Sequence, residues 1–313
     1  MSKNIFKYVG PEYLDRVIKL KDAITLKCSY PKDFNDPYEQ FLTIDFKEEP
    51  GVLAFYAEVI GNIKQHPVTC FSSSPIVLPM WAHYAKNLTG VAIEIDEAAL
   101  VSDFPESQFD DVVYRESPDP DLRDMLYCAQ VIGKPRYLYF LQGGVFKAAY
   151  FTKAICWDYE QERRMVLAAE EVRVEGGMML VDIPARSISS FICGPRASVE
   201  TKAMALKKSL EFGCSYFELQ IGKTSAIPYF INSSGDPFIF NVNCIEPASN
   251  FCFSCKEPLE GNEKTCSWCQ IDDDHKTEAA SRNIFRVLQK LNMLEDYFDG
   301  MEDIGRDWKD GAL

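Results

Sequence analysis

Met80-Trp-Ala-His-Tyr-Ala-Lys-Asn-Leu-Thr-Gly-Val-Ala-Ile-Glu-Ile-Asp96 changes its period in the middle. Met80–Ala85 predicts a helical turn, and Gly90 marks the start of a strand that runs through Val91-Ala-Ile-Glu-Ile-Asp96. The same mixture extends in both directions. Upstream, Ile5–Val9, Ile24–Cys28 and Val68–Phe71 read as strands. Pro11–Leu20, with Leu14, Val17 and Ile18 on one face, and Gly51–Ile63 read as helices. Downstream, Leu122–Ile132 and Tyr139–Thr152 predict helices, and Met165–Ala169, Met178–Ile183 and Ile188–Cys193 predict strands. Val199–Phe212 predicts a helix ended by Gly213. Ser102–Asp121, acidic and proline-containing, is expected to be mostly loop. Strands and helices do not alternate regularly, so the expected class is α+β with a mixed sheet and flanking helices rather than a doubly wound fold.

The chain has 313 residues, which suggests about two domains. Hydrophobic residues at 47% and aromatics at 13% are enough for a large core and exclude wholesale disorder. A net charge of −14 argues against non-specific binding to nucleic acid or to an anionic membrane, and leaves room for a local basic groove. Lys7 interrupts the N-terminus before a secretory signal can form. The uncharged run Gln65–Ala85 contains Pro67, Pro75 and Pro79, which lipid would not tolerate, so no membrane association is expected. An odd count of eleven cysteines without a signal favours reduced thiols and a cytoplasmic location. Composition shifts divide the chain into residues 1–245, 246–271 and 272–313.

The middle segment holds the most specific motif, Cys252-x2-Cys255-x10-Cys266-x2-Cys269. Zinc takes four thiolates in a tetrahedron, and each C-x-x-C knuckle supplies two of them. Four protein ligands make a closed, structural site, and a ribbon this short draws its folding energy from the metal. His275 is a conceivable competitor, but four cysteines already suffice. The other seven cysteines (28, 70, 128, 156, 193, 214 and 244) read as small buried hydrophobes. In the last segment, 11 acids and 6 bases give a net −5. There Ile284, Val287, Leu288, Leu291, Leu294 and Phe298 repeat at helical spacing before Gly300. That stripe either packs on its own protein or docks a partner or second subunit.

Three further segments could carry chemistry. Lys7-Tyr8 on the first strand is followed by the turn-forming Phe34-Asn-Asp-Pro-Tyr-Glu39. Trp81, His83 and Tyr84 gather in the second segment. The third is Lys153-Ala-Ile-Cys-Trp157-Asp-Tyr159-Glu160-Gln-Glu162-Arg163-Arg164. If that stretch is extended, Glu160 and Glu162 share a face, where neighbouring carboxylates raise one pKa and can stabilise an oxocarbenium-like centre. The alternative is an ordinary surface strand in which Arg163 and Arg164 pair with the acids. His83 could donate to a ligand or sit hydrogen-bonded in the core.

The order and content of these segments resemble a widespread bacterial family of unknown function. Its members carry a K-Y strand, an F-N-D-P-[FY]-E loop, an M-W-x-H-Y-A segment leading into a G-V-x-I strand, and a W-x-Y-E-x-E-x-R segment. All four patterns stand here, between about residues 5 and 230, and Ile188–Gly194 resembles the family's late strand. The zinc ribbon and acidic tail lie outside the resemblance. That family is thought to be remotely related to ADP-ribosyltransferase-like folds, several of which act as toxins or phage-defence effectors. The resemblance implies a split mixed sheet with an NAD cleft, where Lys7 or Tyr8 holds the cofactor and Trp81, His83 and Tyr84 line the cleft. A late-strand glutamate, Glu160 or Glu162, would be catalytic, and Glu160 is preferred for its distance from the arginines. Two functions are therefore expected: an NAD-dependent transferase with a nucleic-acid or protein acceptor, or a non-enzymatic nucleotide- or peptide-binding regulator. In the second, the ribbon and the 284–298 helix recruit a partner.

Overall fold

The computed structural model describes residues 3–34, 36, 41–61 and 63–309. Asn35 and residues 37–39 of the turn motif lie outside them. The chain divides into two compact units, Met1–Ser249 and Asn250–Leu313.

The strands of the larger unit begin with β1 (Asn4–Val9), β2 (Ala23–Cys28), β3 (Val68–Ser72), β4 (Val91–Asp96) and β5 (Gln108–Asp111). They continue with β6 (Val113–Arg115), β7 (Thr152–Ala154), β8 (Glu162–Val166), β9 (Arg173–Glu175) and β10 (Met178–Pro184). The last are β11 (Ile188–Cys193), β12 (Ser215–Gln220), β13 (Tyr229–Asn232), β14 (Pro237–Asn241) and β15 (Cys244–Pro247). Its α-helices are α1 (Pro11–Val17), α2 (Pro50–Ile60), α3 (Leu78–Tyr84) and α4 (Glu97–Asp103), then α5 (Pro120–Ile132), α6 (Pro135–Phe151) and α7 (Val199–Phe212). Ten strands form one sheet in the order β15-β14-β13-β12-β11-β4-β1-β3-β8-β5. Strands β2, β10 and β9 form a second sheet, and β6 pairs with β7 in parallel. Within the large sheet β11 and β12 are parallel neighbours, joined through α7 as a β-α-β crossover. The α+β expectation with a mixed sheet therefore holds.

Period-two alternation explains why the centre of this sheet is buried on both faces. Ile5 and Val9 of β1, Val91, Ile93 and Ile95 of β4, and Phe191 of β11 fill one core with Leu14 and Ile24. Phe6 and Tyr8, Ala92 and Ile192 point the other way, into a core with Trp81, Phe217 and Phe230. Glu94 interrupts the apolar run of β4, yet its oxygens accept from Asn4 (2.8 Å) and Ser190 (2.6 Å). β1 and β4 pair from Asn4↔Asp96 to Val9↔Val91, whereas β1 and β3 meet at one register pair, Phe6↔Ser72.

Between α3 and β4 the backbone makes a left-handed turn at Lys86, Asn87 and Leu88, with φ of 46°, 55° and 68°. Three consecutive non-glycine residues in that region store strain, which the surroundings must hold in place. Leu88 N–H donates to Trp81 O (3.1 Å), and Leu88 O accepts from Arg196 N–H (3.1 Å). A Cβ on Gly194 would stand 2.2 Å from Leu88 O, and one on Gly90 would stand 2.2 Å from Val9 O. Both positions therefore require glycine.

Helix α7 ends as predicted. Ser198 Oγ accepts from Thr201 N–H (3.2 Å), and Gly213 takes φ 68°. Helix α6 starts a turn earlier than expected because Pro135 occupies its first position. Ser102–Asp121 is not mostly loop: α4 ends in it, and β5 and β6 lie within it. Their short polar segments become strands by pairing with β8 and β7, which are distant in sequence. Gln65–Ala85 contains β3 and α3. Among the described residues no helix is long and apolar enough to cross a membrane.

The smaller unit opens with the cysteine motif. It continues as α8 (Asp273–Arg282), α9 (Ile284–Lys290) and α10 (Leu294–Lys309). The single helix expected over 284–298 is broken, because Asn292 adopts φ 55° between α9 and α10. Gly300 lies inside α10 rather than after it. Phe285 stacks on Phe298 (centroids 5.5 Å apart), which folds the two helices together.

Candidate functional site

Strand β7 delivers Lys153, and a 3-10 turn over Ile155–Glu160 delivers Glu160 at its end. Gln161 reverses the backbone at φ 46°, and β8 opens at Glu162. The two glutamates are thus not on one extended face, as the sequence suggested. The turn brings their carboxylates together instead: Lys153 Nζ donates to Glu160 Oε2 (2.5 Å) and Glu162 Oε2 (3.4 Å). Two residues along β8, Arg164 lies on the same face as Glu162 and forks onto it, Nε to Oε1 (2.9 Å) and Nη2 to Oε2 (3.1 Å). Arg163 points to the opposite face, where it binds Glu97 (2.9 and 2.5 Å).

This is not a surface strand. Glu160 is 2% exposed, Glu162 6% and Arg164 0%. Charges this deep persist only when paired and hydrogen-bonded. Arg164 also donates to Tyr150 O (2.8 Å) and lies over the Phe34 ring (5.1 Å). Glu160 Oε1 accepts from the Tyr84 hydroxyl (2.5 Å), its carbonyl accepts from Ser72 Oγ (2.8 Å), and Glu162 N–H donates to the Tyr114 hydroxyl (2.8 Å).

The two carboxylates are pushed in opposite directions. Burial would raise Glu162, but the Arg164 charge and fork, then Lys153, outweigh it and hold the group at about 2. For Glu160 burial prevails over Lys153 and Tyr84, and its pKa is raised. Burial also lowers the Lys153 amine, but the two glutamates overcome this and leave its pKa raised. The Arg164 fork and the depth of burial thus drive two neighbouring carboxyls apart, Glu162 down and Glu160 up.

Lys7 reaches across the narrow join of β1 and β3, donating to Cys70 O (2.7 Å) and Thr69 Oγ1 (3.2 Å). Burial lowers its pKa. Tyr8 and Trp81 belong to the core: the Tyr8 hydroxyl donates to Ser74 O (2.8 Å), Trp81 Nε1 to Pro75 O (2.7 Å), and the rings meet edge-on. They brace the wall from behind rather than line it. His83 is exposed, and Tyr84 is half-buried. His83, Tyr159 and Trp157 form a row of tilted rings with centroids 6.2 and 6.1 Å apart, and Lys153 Nζ lies 4.7 Å from the Trp157 ring centre. A flat heteroaromatic ring is the kind of ligand such a row can stack. A cleft of about 760 Å³ is bordered by Ser73, Ser74, Tyr114, Gln161, Glu162, Phe240 and Asn243, and Glu162 is the member of the charged cluster that lines it.

Sequence reading singled out Lys153, Trp157, Tyr84 and both glutamates, all of which meet in the cluster around Lys153 and Glu160. It missed Tyr114 and Ser72, whose bonds come from distant strands, and it left Arg164 on the surface. A signal for Arg164 was present: Glu162 and Arg164 alternate immediately before the apolar run Met165-Val-Leu.

In the smaller unit, Cys252, Cys255, Cys266 and Cys269 bring their sulfurs within 4.8 Å of one another. Four sulfurs at the zinc–thiolate length of about 2.3 Å lie about 3.8 Å apart in a tetrahedron. Cys255 Sγ and Cys266 Sγ are 3.8 Å apart, so the four residues fit and could hold a zinc ion. Knuckle bonds orient them: Lys256 N–H donates to Cys252 O (2.8 Å), with Lys256 at φ 67°, and Cys269 N–H donates to Cys266 Sγ (3.4 Å). Asp272 caps α8, its carboxylate accepting from His275 N–H (2.8 Å) and lying 2.6 Å from His275 Nδ1, and His275 stands outside the cysteine cluster. Of the remaining seven cysteines, Cys28 and Cys193 are buried, but Cys156 and Cys244 are exposed. The buried-hydrophobe reading is too broad by at least those two, which sit in the 3-10 turn over Ile155–Glu160 and on the edge strand β15.

Residues 80–165 match the family described as "Protein of unknown function (DUF2971)". That stretch contains His83, Tyr84, Lys153, Glu160, Glu162 and Arg164. It leaves out Lys7, Tyr8 and the four cysteines. No curated protein and no solved structure matches the chain.

Proposed function

We propose that the buried cluster around Lys153 and its aromatic border form the NAD site of an ADP-ribosyltransferase-like enzyme. The supporting observation is the pair Glu160 and Glu162, adjacent in space and held in opposite protonation tendencies. Glu162, locked by Arg164, is a permanent anion that fixes Lys153. Glu160 is the working carboxylate. A ribose hydroxyl takes over the bond that Tyr84 makes to Glu160 Oε1, and the carboxylate then stabilises positive charge on the sugar as the bond to nicotinamide breaks. Trp157, Tyr159 and His83 stack the flat ring. The acceptor is a nucleic acid or a protein, and a toxin or phage-defence role is compatible with either. The zinc module, folded by its metal, presents that acceptor.

The experiment is nicotinamide release from NAD by the wild type and by Glu160→Gln. Release by the wild type that falls at least about a hundredfold in the variant supports the reading. No release under any condition, with no NAD-induced thermal shift, refutes it. One observation favours a non-enzymatic reading: every oxygen of both carboxylates already has a partner within the protein. In that case the cluster is structural, and the cleft and zinc module recognise a nucleotide or peptide. An NAD thermal shift without turnover selects it.

A further inference from the structure

From Met125 to Phe151 the chain carries no aspartate or glutamate but three bases, Lys134, Arg136 and Lys147, in a protein with 47 acids. This run forms the α5–α6 hairpin except the first turn of α5, where Asp121 and Asp124 flank Arg123, so the hairpin as a whole keeps a net positive charge. The inner faces of the two helices are spent: Leu122, Leu126, Leu141 and Val145 pack with Ile44 and Tyr56. The outer face is unusual. A solvent-facing helix surface is normally charged and polar. Here Tyr127 and Val131 of α5 are 65% and 60% exposed, and Tyr139 and Phe140 of α6 are 74% and 53% exposed. Lys134 and Arg136, both exposed, stand at the turn between the helices.

The second unit bears a surface of opposite charge. On α10, Tyr297, Phe298 and Met301 are exposed, and Leu291 precedes them in the turn from α9. At 100° per residue these α10 side chains form one stripe, and Glu295, Asp299 and Glu302 run along one border of it. No base occurs from Leu291 to Glu302.

We propose that two copies of this chain associate reciprocally, the α9–α10 face of each seating on the α5–α6 hairpin of the other. Hairpin against hairpin would bring cations onto cations, and tail against tail would bring acids onto acids. Only the crossed pairing joins apolar stripe to apolar stripe with opposite charges at the border. Two such contacts related by a two-fold axis close the assembly as a dimer. The acidic tail and the net charge of −14 disfavour an anionic membrane as the occupant of the hairpin.

The test is the solution mass of the full chain by sedimentation at low and high salt, with charge reversals at exposed positions that leave the packing intact. The wild type is expected at twice its 35.6 kDa, dissociating as salt or dilution increases. Lys134→Glu with Arg136→Glu, and separately Glu295→Lys with Asp299→Lys and Glu302→Lys, should each give monomer. An equimolar mixture of the two variants should recover the dimer, because every reversed face then meets its complement. The proposal is overturned by a chain that stays monomeric throughout, including one that instead sediments with anionic vesicles. It is equally overturned by a dimer that neither reversal weakens, or by two variants that do not recover on mixing.

Discussion

Lys153–Arg164 and Cys252–Cys269 each gather four ionisable side chains within a short run of chain, and they do so by opposite means. The first is a cation–anion cluster buried by a sheet whose strands come from across 250 residues; it exists because the fold around it exists. The second has hardly any core, and its four sulfurs are spaced so that they could hold a zinc ion, which would then supply its cohesion. The lesson is that spacing alone identifies a site whose ligands bind one common atom. A site made of mutual charges is identified only when burial and register are known.

The comparison breaks first at the metal. Chelation should remove about one zinc per chain and, since structural zinc contributes about 10–16 kcal/mol to such modules, unfold residues 252–269. Hydrogen exchange would show protection lost there and retained in β8. Equal loss in both regions would mean that the two clusters do not differ in kind.

Removing Arg164 comes next. Arg164→Ala leaves Glu162 buried without its fork and should cost about 3–5 kcal/mol in denaturant unfolding. Arg163→Ala, which breaks a fork onto Glu97 near the surface and contacts to the exposed Asp110 and Asp111, should cost less. Similar costs for the two would return β8 to the status of a surface strand.

The acid limb of stability sharpens the account of Glu162. A folded pKa of about 2, below the ordinary 4.5, contributes stability that is present above 4.5 and lost as pH falls toward 2. The stability gap between the wild type and Glu162→Gln should therefore close across that window. A gap independent of pH would show that the Arg164 fork does not hold Glu162 ionised. The smallest effect expected is that of Tyr84→Phe, about 1 kcal/mol for one hydrogen bond to Glu160.

Much of the frame could be read from the residues themselves. The C-terminal end of α7 was legible in Gly213, because capping is local chemistry. The strand after Gly90 was legible in its apolar run. β5 and β6 were not, since Gln108–Asp111 is polar and becomes a strand only beside β8. The left-handed turn at Lys86–Leu88 carries one favourable residue, Asn87, and the rest is imposed by Trp81, Arg196 and Gly194. At the site, the two glutamates could be found from their neighbourhood. The turn at Gln161 that aims both at Lys153 could not, because no residue there announces a positive φ.

Nicotinamide release from NAD, measured side by side for the wild type, Glu160→Gln and Tyr84→Phe, tests the central claim most directly. The phenol that covers Glu160 should be dispensable and the carboxylate should not. The account predicts turnover in the wild type and in Tyr84→Phe, with a loss of at least about a hundredfold in Glu160→Gln. Undiminished release from Glu160→Gln, or none from the wild type, would contradict it.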